Sequence, residues 1–175
     1  MDAAELREVQ APLKEHYRED PQGAVVTLEA TGELDGDGLT CSVQTGQALV
    51  EAGLHPATGG DGSAVCSGDL LLDALVACAG VTLRAVATAL GVTVRAGQVR
   101  AEGDIDFRGT LGVDRDAPVG FRAIRLTIDV DSDADPVTLD KVVELTERYC
   151  VIYQTLAHPP ELTVAAMSPG RTDAS

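Results

Sequence analysis

The sequence predicts an α+β domain with a mainly antiparallel sheet around one buried helix, and three observations predict it. The run Leu70 to Leu90 is interrupted by charge only at Asp73 and Arg84, so its helix is apolar on nearly every face and is expected to be buried on nearly every face. Residues 121 to 130 alternate, with Ile124, Leu126, Ile128 and Val130 on one side, and residues 92 to 108 alternate more weakly, which is the period of strands. Finally, the order of elements is strands, helix, strands, helix, strand, unlike the βαβ repetition of a parallel sheet.

Taken along the chain, residues 1 to 23 are polar and carry Pro12, and read as a loosely held arm with room for a short helix. The folded domain is expected over residues 24 to 167. Val25 to Thr31 reads as a strand, Asp35-Gly36-Asp37-Gly38 as a hairpin turn, Leu39 to Thr45 as the return strand, and Gln47 to Glu51 as a third strand. His55 to Gly62 is rich in Gly, Pro and Thr and reads as a loop. Ser67 is the expected cap of the long helix, Asp69 suits its first turn, and Gly91 supplies the stop. The two alternating segments come next, as antiparallel strands joined by the polar connection 109 to 120. Asp135-Pro136 then opens a second helix that runs to Tyr149-Cys150. Pro159-Pro160 ends the segment after Cys150, Glu161 to Met167 reads as a last short strand, and residues 168 to 175 as a disordered tail.

Composition narrows the function. Thirteen basic against twenty-eight acidic side chains give a formal charge of −15, which repels phosphate backbones and anionic lipid, so neither nucleic acid nor membrane is an expected partner. Aromatic residues make up 3% of the chain and there is no Trp, which leaves little for stacking bases or sugars. No stretch is expected to reach the roughly 20 uninterrupted apolar residues of a bilayer span, and the first residues lack the basic and apolar regions of a signal peptide; a cytoplasmic protein is expected. No glycine-rich phosphate loop follows a strand. His16, His55 and His158 share no metal-ligand spacing, and neither a metal nor an organic cofactor is expected. Asp129 to Asp135 superficially resembles a calcium loop, but Ala134 stands where Gly is needed, and a strand end leading into a helix cap is the better reading.

Chemistry then falls to the four cysteines, which are expected to be reduced. Cys78 lies midway along the apolar helix and Cys150 at the end of the second. Cys41 falls in a strand and Cys66 just before the helix cap; both read as structural thiols. A thiol becomes a nucleophile only as thiolate, which burial opposes and a cation or helix N-terminus favours. Cys78 is too deep in its helix for the dipole to act, so a reactive Cys78 calls for a cation from elsewhere, with Arg84 and Arg148 the candidates.

Ser67 to Cys78, preceded by a Gly-rich loop, resembles the central helix of the OsmC/Ohr family, and Glu147-Arg148-Tyr149-Cys150 resembles its second-cysteine segment. The resemblance spans roughly residues 24 to 167. It implies an intertwined homodimer whose mainly antiparallel sheets wrap around paired central helices. It further implies a thiol-dependent peroxidase for organic hydroperoxides, with Cys78 the peroxidatic thiol, Cys150 the resolving one, and a dithiol or thiol protein as reductant. The family's activating Arg has no counterpart in Thr31 to Asp35, and its helical Glu falls on Gly68, with the shorter Asp69 next. Two rival functions suit the same fold: a carrier of a small apolar ligand, and a redox sensor that forms a Cys78–Cys150 disulfide without turnover.

Overall fold

The computed structural model describes residues 3–33, 42–43, 52–62 and 65–164. Strands β1 (Val25–Glu33), β2 (Ser42–Val43), β5 (Val94–Asp106) and β6 (Phe121–Ser132) form a four-stranded antiparallel sheet in the order β2-β1-β5-β6. A separate parallel pair joins β3 (Ala52–Gly53) to β4 (Val65–Cys66). Helix α2 (Ser67–Ala89) packs on β1 and β5, and α4 (Pro136–Tyr149) and α5 (Val151–Ala157) pack on α2. The α+β class and antiparallel sheet are those expected from the alternation.

The sheet register follows the hydrophobic pattern. Val99 pairs with Ile128, Ala101 with Leu126 and Gly103 with Ile124, which puts the apolar residues of both strands on the helix side. Val99, Ala101, Leu72, Leu75, Val76, Ala79, Leu83 and Val142 form the centre of the core. In β5 Gly103 is required by a close approach. A Cβ there would stand 2.3 Å from Cε1 of Phe121, so its absence lets that ring lie across the strand.

Helix α2 stops as expected, with Gly91 at φ 69°. Its start is corrected by one residue. Cys66 is the N-cap and its thiol makes no capping bond, because Cys66 is still extended where it pairs with Gly53, and the backbone turns helical only at Ser67. Burial on every face is also corrected: Leu71, Val81 and Leu90 are exposed, since the sheet and α4 of one chain cover one side only. By length and mean hydropathy, 1.9, α2 would suffice to cross a bilayer, contrary to expectation, yet half of that stretch is buried inside the fold.

Three further differences have local causes. The amino-terminal arm is a 17-residue helix, α1 (Ala3–Glu19), with Pro12 inside it. Tertiary contact offsets the backbone bond that Pro removes: Tyr17 is buried and its hydroxyl donates to the Ala57 carbonyl at 2.8 Å, while Leu13 packs on the core. The connection after β5 opens with a helical turn, α3 (Phe107–Thr110), whose Phe107 is buried and stacked on His55 at 4.9 Å. No strand forms over residues 161 to 164, where Leu162 and Val164 are 84% and 97% exposed, because no sheet edge meets them. The hairpin turn at residues 35 to 38, the strand at 47 to 51, Cys41 and the tail from 168 lie outside the described residues.

Candidate functional site

The site is built where α2 meets the α4–α5 break. Asp135 opens α4 as expected, its carboxylate accepting from the Val137 and Thr138 amides at 3.0 and 3.1 Å. Cys150 ends that helix with ψ 109° and at the same time caps α5, its sulfur accepting from the Tyr153 amide at 3.5 Å. The break turns the first amides of α5, which have no partner within their own helix, toward α2. The Cys78 sulfur receives them: the amides of Ile152 and Val151 bond to it, as do the side chains of Cys150 and of Thr82, one helical turn further on.

These donors favour the ionised form of Cys78. Burial pushes the Cys78 thiol up, but the Ile152 amide, the Cys150 thiol, the Thr82 hydroxyl and the Val151 amide together outweigh it, and the net direction is down. Cys150 moves the other way. It is fully buried, and burial, aided by the hydrogen bond and the charge of Cys78, pushes its thiol up to about 11. The pair is therefore unequal, with Cys78 the readier of the two to ionise and Cys150 the one that keeps its proton.

Among the described residues no cation acts on Cys78. Arg84 lies on the core face of α2, 7% exposed, with Nε and Nη2 lacking a hydrogen-bond partner. Arg148 stacks over the Tyr149 ring, 5.5 Å from its centroid. Backbone amides supply what the guanidinium was expected to supply. Thr82 could have been found from its i+4 spacing to Cys78, whereas the amides leave no mark on a sequence.

Tyr153, whose amide bonds to Cys150, also lines a pocket of about 560 Å³, within the range of small-molecule sites. Leu71, Leu75, Phe121, Leu126, Tyr153 and Leu156 line it, with Arg122 among them. Beside it Asp106, 1% exposed, is held by Arg108 through bonds of 2.6, 3.0 and 3.2 Å, and Arg108 also reaches Asp114 at 3.0 Å. Further toward the start of α2, Asp69 and Asp73 are both raised by burial, Asp73 also by its neighbour Asp69, while His55 counters the rise at Asp69. Among the described residues no cluster of His, Cys, Asp and Glu could hold a metal ion.

Fold and site together define an α+β protein with a paired-thiol centre beside an apolar pocket. The family model for OsmC-like proteins matches residues 60–165, and the chain belongs to that family. An OsmC-like protein of Mycoplasma pneumoniae shares the fold with a TM-score of 0.54 at 17% identity, over 77% of this chain and 86% of that one. An OsmC-like hydroperoxide resistance protein of Jannaschia sp. CCS1 does so with a TM-score of 0.58 at 20% identity, over 85% and 97%. No curated protein matches the sequence.

Proposed function

We propose that the chain is a thiol-dependent peroxidase that reduces organic hydroperoxides. The observation that carries this reading is the hydrogen-bonded pair of Cys78, with a depressed pKa, and Cys150, kept protonated. Membership of the OsmC-like family supports a peroxide-related role, and the Jannaschia protein that shares the fold is described as a hydroperoxide resistance protein. The Cys78 thiolate attacks the terminal peroxide oxygen, the O–O bond breaks, and the alkoxide takes a proton and leaves as alcohol. Cys78 is left as a sulfenic acid. The Cys150 sulfur then attacks the Cys78 sulfur, water leaves, and a disulfide forms. A dithiol or thiol-protein reductant restores both thiols by exchange.

The working unit of this proposal is a homodimer. Leu71 and Val81, 36% and 41% exposed, share an uncovered side of an otherwise apolar helix, and a second copy is the partner that would cover it. A monomeric mass at micromolar concentration would remove this part of the reading. The peroxidase reading is tested by measuring consumption of cumene hydroperoxide with dithiothreitol as reductant. Wild type should turn over and Cys78→Ser should not; equal rates would take Cys78 out of the mechanism.

A further inference from the structure

The pocket that Tyr153 lines beside Cys150 is walled by apolar side chains and one cation, and we infer that Arg122 selects ligands carrying a carboxylate. The inference deepens the peroxidase reading and rests on it for the word substrate: the favoured hydroperoxides would be those with an anionic end. Two lining residues tie the pocket to the thiols: Leu75, one turn before Cys78 on α2, and Tyr153, whose amide bonds to Cys150. A helical side chain leans toward the N-terminus of its helix, so Cys78 leans back over the turn that contains Leu75. Arg122, at the start of β6, is the one cation of the lining.

Arg122 is placed to take an anion because its ion pair with Asp106 is long and leaves its donors unused. Its closest acidic contact is Asp106, at 3.9 Å, which is too long for a hydrogen bond. The carboxylate of Asp106 is already engaged by Arg108 on both oxygens. The guanidinium is 48% exposed and, among the described residues, donates no hydrogen bond. In a chain of net charge −15, which repels anions at long range, a carboxylate ligand needs such a local cation. Arginine's planar fork suits one.

Octanoate and octanamide, matched in apolar bulk and differing in charge, test this by isothermal titration calorimetry on the full chain. Wild type should bind octanoate roughly tenfold more tightly, as a charge-assisted hydrogen bond implies. Arg122→Gln should bring the two affinities within about twofold, and Arg122→Lys should retain a preference for octanoate, since the charge is kept. Equal affinities in wild type, no binding of either ligand, or a preference that survives Arg122→Gln would each overturn the inference. Binding needs no turnover, so failure of the peroxide assay with octanoate selectivity intact would strike the peroxidase reading and leave the anion site standing.

Discussion

Cys150 donates its proton toward Cys78 at the point where it also accepts the Tyr153 amide, so one buried thiol both caps α5 and steadies the thiolate of its neighbour. The arrangement makes the two sulfurs unequal before any peroxide arrives. In the proposed reaction this inequality gives attack to Cys78 and resolution to Cys150.

In a Cys41→Ser, Cys66→Ser background, titration of the thiolate ultraviolet absorbance should show two steps from the remaining cysteines. The first should lie below the ordinary cysteine range and vanish in Cys78→Ser; the second should centre on about 11 and belong to Cys150. A thiolate is the reactive form, so the rate of peroxide consumption should rise as pH passes upward through the first step. A single transition in the ordinary cysteine range would contradict the division of roles.

Replacing Cys150 by Ser should leave the first attack in place and remove resolution within the protein. Cys150→Ser is expected to consume one equivalent of hydroperoxide in reaching the sulfenic acid at Cys78 and a second in reaching the sulfinic acid, both read by mass spectrometry. Sustained turnover of this variant at the wild-type rate, with a reductant too bulky to enter the pocket, would show that Cys150 has no part.

Arg108→Ala should strand the buried Asp106 charge and cost about 3–5 kcal/mol at neutral pH, measured by urea unfolding. The Arg108 guanidinium holds the Asp106 carboxyl below the usual range. A depressed acid contributes stability above its unfolded value, about 3.9, and loses it as pH falls through the folded one. The gap between wild type and variant should therefore shrink in acid.

Asp73→Asn should stabilise the chain, because burial and the Asp69 charge four residues before it both raise the Asp73 pKa. Relief of the like-charge pair is worth about 0.2–0.5 kcal/mol. A raised acid weakens the fold once pH exceeds its unfolded value, so the gain should be full at neutral pH, fade as pH falls through the raised folded value and be gone below about pH 4. A thermal midpoint that falls at pH 7 would refute this account.

Gly103→Ala should destabilise by about 1–3 kcal/mol, the usual cost of overpacking, because its Cβ would meet the Phe121 ring at 2.3 Å. Adding Phe121→Leu should recover part of the loss. Failure of the second substitution to recover any stability in a thermal melt would place the strain elsewhere.

Much of this fold is legible in the sequence because its signals are local and periodic. The uncharged run to Leu90, the alternation through Ile124 to Val130 and the Asp135-Pro136 cap each fix an element without reference to the rest of the chain. The full length of helix α1 is not legible, since Pro12 and polar composition argue against it while Tyr17, Leu13 and the distant Ala57 carbonyl hold it. The cap at Cys66 lies one residue before the expected Ser67 because a strand pairing, set by Gly53, decides where the helix begins.

The sequence by itself determined the antiparallel α+β class, the central apolar helix and the two cysteines on which the chemistry is expected to turn, since residue type and spacing carry all three. Only the tertiary structure decided that Cys78 and Cys150 meet, that amides of α5 and Thr82 serve in place of the missing guanidinium, and that Arg122 opens on the same pocket as Tyr153. Those facts rest on how separate elements pack and where backbone amides point, and neither is written in the identity of any one residue.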